Sequence, residues 1–592
     1  METMSHNGIK VPPKYEGNGF TVKIRGKTIE LTEVQEELAV AWAKKIGTPY
    51  VEDPVFADNF HRDFSEKLNQ TVLPGEVEYT DIYEYIMDER DKRKNLPKEE
   101  KKLLREDRKK IREQNKEKYG YVTVDGERME IGNYMVEPSS IFMGRGKHPL
   151  RGRWKEGPRH HDVELNLSPE ALKPEGDWKN ILWDPDSTWV ARWRDKLSDK
   201  IKYVWPSDSS ALKQRSDIQK YDKAVELEKN LWKVKEHIYQ NLEHEDTLQR
   251  KTATVCYLID HLKFRVGDEK DEEEADTVGA STLRSEHLQF NEGNKVAFDF
   301  LGKDSVRHYI EEEVDAKVYE NLKEFARNSQ STLFDEVNSR TVSGFLDEVM
   351  TGLSAKVFRT CYATQAVMEK LGELEVSAKA PDYIKKHTAT IANLEAAIIC
   401  NHKRTVSKNW EAVLEKRMDR LEALKVKAKE NMKKYRKKIR DAKKRYRTRL
   451  SKYEDKLKED IEKLEEYKKI LKEKVANNKS TKGIKKRIKS KRNVIKNGRA
   501  RIRKLKNEHR ERMNKYEQLI QERKEKDKER IEKLELQIDA RKKTRDYNLN
   551  TSLKSYIDPR IYYDWGKQYD YDWRDYYSTA LCRKFSWVEE NA

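Results

Sequence analysis

NMKKYRKKIRDAKKRYRTRLSKYEDKLKEDIEKLEEYKKILKEKVANNKSTKG, residues 431–483, decides how the rest of the chain is organised. Apolar or tyrosyl residues recur from just before this stretch at Ala428, Met432, Tyr435, Ile439, Ala442, Tyr446, Leu450, Tyr453, Leu457, Ile461 and Leu464. Their mean step is about 3.6, the period of a straight α-helix and slightly longer than a supercoiling heptad. No Pro or Gly interrupts them until ANNKSTKG at 476–483, a turn signal. The pattern then resumes at Ile484, Ile488, Ile495, Ile502, Leu505, Met513, Tyr516, Ile520, Ile531 and Leu534. The spacing predicts two antiparallel helices, each about 90–100 Å long at 1.5 Å per residue. A seam that continues on both sides of the turn argues against a solitary charged helix or an unstructured tail.

Charge sets this segment apart. The 592 residues carry 124 Lys and Arg against 106 Asp and Glu, a net +18. From Thr405 to Arg545 there are 53 basic and 24 acidic residues, a net +29, so the remaining 451 residues are net −11. Charged residues make up 39% of the chain against 36% hydrophobic, with mean hydropathy −1.04 and pI near 9.2. Nucleic acid, anionic surfaces or acidic proteins are the partners such a balance suits. No run of about 18 apolar residues occurs, so no membrane span is expected. The start, METMSHNGIKVPPKYEG, lacks an apolar core and does not read as a secretory signal. Cys256, Cys361, Cys400 and Cys582 form no CxxC pair, which points away from disulfides and cysteine zinc sites and towards a reducing compartment.

Outside the hairpin, FTVKIRGKTIEL at 20–31 alternates around Arg25-Gly26 and reads as a β-hairpin, followed by a helix over 32–46. Residues 80–119 are helical, with Gly120 as a stop, and 120–138 read as strand, turn at Asp125-Gly126, strand. Residues 144–209 are short strands and loops rich in Trp. From Leu212 to Arg404 amphipathic helices dominate, broken by HLQFNEGNKVAFDFLGKDS at 287–305. The tail 548–592 is rich in Tyr and Trp, and must pack back on the earlier helices. The basic hairpin is therefore an insertion that splits one domain.

Several chemistries have no motif here. There is no GxxxxGK[ST] loop for a nucleotide, since Gly144-Arg145-Gly146-Lys147 is too short, and no HExxH. The run DEKDEEEAD at 268–276 lacks EF-hand spacing and reads as a solvated loop or helix face. His160-His161-Asp162 would point apart on a strand, and no metal is expected there. What stands out is a set of cations in apolar helices or tight turns, then a tyrosine. Arg265 lies in YLIDHLKFRVGDEK, Lys303 in FDFLGKDSVR, Arg359 in LSAKVFRT, His402 in AAIICNHKR and Tyr556 in TSLKSYIDPRI.

Together these stretches resemble the type IB (eukaryotic-type) DNA topoisomerases. The resemblance runs through HNGIKVPPKYEG, IFMGRGKHP, WVARWRDKLSDKIKYV, DEKDEEEADTVGASTLRSEHLQF, FDFLGKDSVRHY, LSAKVFRT, IICNH and SYIDPRI, in the family's order. It implies a multidomain α+β fold. Residues 1–211 would be a mixed α/β DNA-clamping cap of two subdomains, and 212–404 a mainly helical catalytic core of the tyrosine recombinase/topoisomerase IB type. Residues 405–546 would be a basic antiparallel coiled-coil linker, and 547–592 a small helical C-terminal domain carrying the nucleophile.

The resemblance further implies ATP-independent relaxation of supercoiled double-stranded DNA through a 3′-phosphotyrosine. Tyr556 would be the nucleophile, Arg265, Arg359 and His402 would hold the non-bridging phosphate oxygens, and Lys303 would protonate the leaving 5′-oxygen. Asp304, Lys356, Asn401 and Thr551 would be DNA contacts. The residue types suit the chemistry: guanidinium forks match phosphate oxygens, and fixed cations neutralise charge spreading over the equatorial oxygens. No metal, nucleotide or other cofactor would be needed, and a monomer is the expected state. The alternative is a tyrosine recombinase or integrase, which shares this logic but commonly carries HxxR where this chain has Lys356-x-x-Arg359.

Three departures qualify the resemblance. Ser552-Leu553-Lys554-Ser555-Tyr556 stands for the family's SKxxY, displacing the lysine by one and placing Ser555 where Asn is usual. Weak camptothecin sensitivity is the expected result. In HPLRGRWKEGPRHHDVEL the paired arginines of KRRxxP are replaced around Glu156-Gly157. The long charged N-terminal extension of the nuclear enzymes is absent from the sequence, which suggests one of the shorter archaeal-type members. The compartment would be the nucleoid or cytoplasm in that case, and the nucleus in a eukaryote.

Overall fold

The structure is a computed structural model that describes residues 1–267, 276–329 and 332–590, with the side chain of Asp304 outside the described ones. Two compact units make up the chain. Met1–Lys379, Ile391–Arg404 and Tyr547–Ala592 form the first, and Ala380–Thr390 with Thr405–Asp546 the second.

In the first unit the 20–31 segment folds as expected. Thr21–Ile24 and Lys27–Glu30 pair in antiparallel register around Arg25 and Gly26, both at positive φ, and Val77–Glu78 adds a third strand. Helices Glu33–Ala43 and Pro54–Leu68 cover this sheet. Trp42 stacks on Phe60 at 4.5 Å, with Phe56 and Phe64 buried beside it. The second of these helices has a readable start, since Asp53 accepts from the Phe56 N–H and Pro54 occupies the first turn.

A second core lies between two sheets. Met4–His6, Tyr121–Val124 and Glu127–Glu130 form one, and Asn180–Leu182, Val163–Asn166, Ala191–Arg194 and Ile201–Val204 the other. Val122, Val163, Leu165 and Trp193 fill the space between. The strand Met4–His6 has no signal in its own sequence; its register comes from Val122–Val124 opposite. His160 packs edge-on against Trp178 and Asp162 pairs with Lys196, so the His160-His161-Asp162 run has structural partners.

The third core is helical. Ala211–Asn241, Thr247–Leu262, Ala316–Asn328, Ser339–Asp347 and Ala355–Glu373 bury Leu227, Val234, Leu258, Leu322, Phe345 and Phe358. The piece at 287–305 becomes the antiparallel sheet Leu288–Phe290, Lys295–Gly302 and Val306–Glu313. The tail closes against this core. Arg560 reaches Asp222 at 2.8 Å, Lys584 reaches Asp217 at 3.0 Å, and Phe585 and Trp587 pack on the buried Tyr221.

The second unit is a helical hairpin, Trp410–Ala476 and Lys482–Lys543. Leu464, Ile484, Ile488 and Ile495 form its buried seam near the turn. Further along, Tyr446 stacks on His509 with ring centres 3.8 Å apart, and Asp460 is buried because Lys491 meets it at 2.9 Å. Gly498 lets the helices approach: a Cβ there would lie 3.2 Å from a Leu457 methyl. This unit also takes in Ala380–Thr390, which the sequence reading grouped with 212–404. Side-chain chemistry explains it, since Tyr383 donates to Glu532 at 2.9 Å and His387 meets Asp539 at 3.3 Å.

Among the described residues no helix is long and apolar enough to cross a membrane.

Candidate active site

Four of the five residues singled out from sequence meet in the first unit. Arg359 sits one turn into the helix Ala355–Glu373, which the turn at Gly352–Ser354 precedes. Arg265 follows the helix Thr247–Leu262, which ends on Lys263 in the left-handed conformation. The extended segment that carries it is pinned by close backbone approach: a Cβ on Gly279 would lie 2.5 Å from Gly267, and Ala280 N–H donates to the Arg265 carbonyl. His402 follows a second left-handed residue, Asn401, beyond the helix Asp382–Ile399. Tyr556 ends the short helix Leu549–Ser555, and Asp558-Pro559 starts the next helix.

The geometry converges on the phenol ring. The guanidinium carbons of Arg359 and Arg265 lie 5.1 and 5.9 Å from the Tyr556 ring centre, within cation–π range. The His402 ring lies 5.0 Å from it at 34°. Arg359 is only 3% exposed and is clamped by the carbonyls of Lys263 and Cys400, with Nη2 also 3.2 Å from His402 Nε2. Its Nε is buried with no hydrogen-bond partner. Among the described residues, neither arginine has a carboxylate partner. Burying a cation without a counter-charge is unfavourable, and this applies to Arg359; Arg265 is half-buried and adds a second positive charge beside the same ring.

The field of these cations is visible in their neighbours. Burial, then Arg359 and Arg265, lowers the His402 pKa to about 3, so the ring is neutral. Burial, then Arg359, Lys403 and Arg265, lowers His308 to about 4. Burial raises the Cys400 thiol, against the pull of Arg359.

Lys303 stands apart. It is exposed on the single helical turn Lys303–Ser305 between two strands, and has no hydrogen-bond or ion-pair partner among the described residues. The glycine before it has a steric reason: a Cβ on Gly302 would run into the His308 ring at 2.7 Å. Of the other expected DNA contacts, Lys356 is exposed on the first turn of the Arg359 helix and Thr551 is half-buried near Tyr556. Asn401 is tied at 2.7 Å to His308. The side chain of Asp304 and residues 268–275 of the acidic run lie outside the described residues; Asp276 pairs with Arg284.

Sequence reasoning gave no role to Ser552, whose Oγ lies 2.8 Å from His402 Nδ1. Nor did it find the two carbonyls that clamp Arg359. Ser552 stands one helical turn before Tyr556 and could have been suspected from that spacing; backbone acceptors leave no mark in a sequence. Lys554, the displaced lysine, pairs with Asp208 at 2.7 Å.

Three family models match the chain in order: the DNA-binding fragment of eukaryotic DNA topoisomerase I over residues 1–206, its catalytic core over 209–439, and the C-terminal topoisomerase domain over 528–592. DNA topoisomerase 1 of Candida albicans is 31% identical over 628 aligned positions, covering 100% of this chain and 79% of that protein. The chain belongs to the eukaryotic DNA topoisomerase I family. DNA topoisomerase 1 beta of Arabidopsis thaliana is 33% identical across 99% of the chain, and the Chlorocebus aethiops enzyme 30% identical across 100%. The chain spans 58% of the Arabidopsis beta protein and 47% of its alpha counterpart. The expectation of a shorter archaeal-type member is corrected here, because models and relatives alike are those of the eukaryotic topoisomerase I family.

Proposed function

We propose that this chain relaxes supercoiled double-stranded DNA by breaking and rejoining one strand through a 3′-phosphotyrosine. The observation that carries the reading is the pair of arginines flanking Tyr556, with the buried Arg359 Nε lacking an acceptor. A phosphodiester placed there supplies the missing anion.

Tyr556 Oη gives up its proton to solvent and attacks phosphorus in line with the 5′-oxygen, so that the phosphorus–Oη bond forms as the phosphorus–5′-oxygen bond breaks. Arg265 and Arg359 take the non-bridging oxygens, and His402 donates a further hydrogen bond. Positioning and fixed cations together lower the barrier as negative charge spreads over the equatorial oxygens. The exposed Lys303 is free to reach the 5′-oxygen and protonate it as it leaves. The phosphotyrosine ester keeps the energy of the broken bond, so religation needs no nucleotide. Residues 1–211 serve as the clamp, 405–546 as a coiled-coil linker beside the DNA, and 547–592 as the carrier of the nucleophile. Lys356, Asn401 and Thr551, with Asp304, contact the duplex. The active species is a monomer acting on nuclear chromosomal DNA.

The test is relaxation of a supercoiled plasmid without ATP or Mg²⁺. The unsubstituted chain relaxes it, whereas Tyr556→Phe binds DNA and leaves it supercoiled. Relaxation by that variant would remove the nucleophile, and with it this reading.

A further inference from the structure

His402 stands in a hydrogen-bond arrangement opposite to the one its proposed role requires. Arginine is only a donor, so the 3.2 Å contact with Arg359 Nη2 makes His402 Nε2 the acceptor. The single proton of the neutral ring then sits on Nδ1 and is donated to Ser552 Oγ at 2.8 Å. In this tautomer Nε2 has no proton to offer a phosphate oxygen. Nδ1 cannot substitute for it, because it faces Ser552.

Ser552 is built to resolve this conflict. Its side chain is buried in the DNA-free protein. A hydroxyl both donates and accepts, and can hold either neutral tautomer of a histidine without losing a hydrogen bond. Its carbonyl also receives the Tyr556 N–H at 2.9 Å and the Ile557 N–H at 3.0 Å. The residue that orients the histidine therefore also anchors the backbone of the tyrosine.

We infer that Ser552 is a positioning residue whose hydroxyl turns from acceptor to donor when a phosphodiester enters, so that His402 changes tautomer. In the DNA-free enzyme Arg359 Nη2–H points at Nε2, and Nδ1–H points at Ser552. When phosphate oxygens draw the Arg359 donor away, Nε2 acquires a proton from solvent and Nδ1 releases one to solvent. The ring stays neutral and the proton count is unchanged. Ser552 O–H then donates to Nδ1, and Nε2–H faces the phosphate. This inference rests on the proposed strand-cleavage role of His402.

The test uses the full chain as Tyr556→Phe, ring-¹⁵N-labelled at histidine, with His402 assigned by comparison with a His402→Gln sample. The ¹⁵N shifts should show Nδ1 protonated in the free protein and Nε2 protonated with a duplex oligonucleotide bound. The same tautomer in both states would overturn the inference. In the Tyr556-containing enzyme, Ser552→Ala should slow single-turnover cleavage about tenfold to a hundredfold, by analogy with the loss when the hydrogen-bond partner of a metal-bound histidine is removed. DNA affinity should stay unchanged, and Ser552→Thr should restore most of the rate. Wild-type cleavage by Ser552→Ala would also overturn it. The spectra need no change at Ser552, so they decide the matter even if that variant misfolds. Should Tyr556→Phe relax plasmid, the functional reading fails and this inference with it. If that variant is inert but its tautomer is fixed, this inference alone fails.

Discussion

The Arg359 guanidinium carbon stands 5.1 Å from the centre of the Tyr556 ring while the carbonyls of Lys263 and Cys400 hold its outer nitrogens. The arginine is thus fixed before any substrate arrives. A donor group held in place in a buried site loses little freedom when charge develops in front of it, and this is the main source of electrostatic catalysis.

Removing either guanidinium should be severe. Arg359→Ala and Arg265→Ala are each expected to lower single-turnover cleavage by about 10²–10³, the usual loss for one preorganised donor. Arg359→Lys should recover little, because an ammonium cannot satisfy two carbonyls and a phosphate in the same fork geometry. A loss below about tenfold would exclude that arginine from the site.

The hairpin should govern salt dependence. Replacing residues 425–530 by a short loop removes much of the +29 carried between Thr405 and Arg545. Cleavage of a short duplex should survive, strand rotation should quicken, and the slope of log affinity against log salt should flatten. An unchanged slope would mean that the charge serves solubility alone.

Stability should fall in mild acid. His6, His308 and His402 have folded-state pKa values lowered to about 4, 4 and 3 from 6.5, burial being the largest cause for each. Between those values the unfolded chain binds more protons than the folded one. Their contribution is therefore complete above about pH 6.5 and is lost as pH drops towards 4, by up to about 1.4 kcal/mol per pH unit for each ring. The urea midpoint should be lower at pH 5 than at pH 7. His6→Gln lies in the sheet around Asn166, where the ring bonds the Asn166 carbonyl, and should reduce that difference.

The Lys554–Asp208 pair should matter little to stability. Both side chains are about half exposed, 49% each, so Lys554→Ala is expected to shift unfolding by less than about 1 kcal/mol in a denaturant titration. A larger shift would show the lysine to be more than a surface ion pair.

Ser555, half-buried at the end of the helix Leu549–Ser555, bears on drug response. Trapping of covalent complexes should need high camptothecin, and Ser555→Asn should lower the dose required. Trapping at low drug concentration by the unsubstituted chain would contradict this.

Local pattern carried much of the fold. The 3.6-residue seam and the turn after Ala476 define the helical hairpin, because helix formation depends on residues a few positions apart. The strand pair around Arg25-Gly26 and the helix stop at Gly120 are legible for the same reason. The identities of Arg265, Lys303, Arg359, His402 and Tyr556 were legible as motifs. The meeting of four of them, with Lys303 apart, was not. Arg359 is oriented by two backbone carbonyls, His402 by Ser552, and the strand Met4–His6 exists only because Val122–Val124 lies opposite. Such partners come from distant parts of the chain, and carbonyls are the same in every residue. Sequence determined which residue types are present and in what local pattern; burial and long-range hydrogen bonding decided which of them face Tyr556, because those partners lie far apart in the chain.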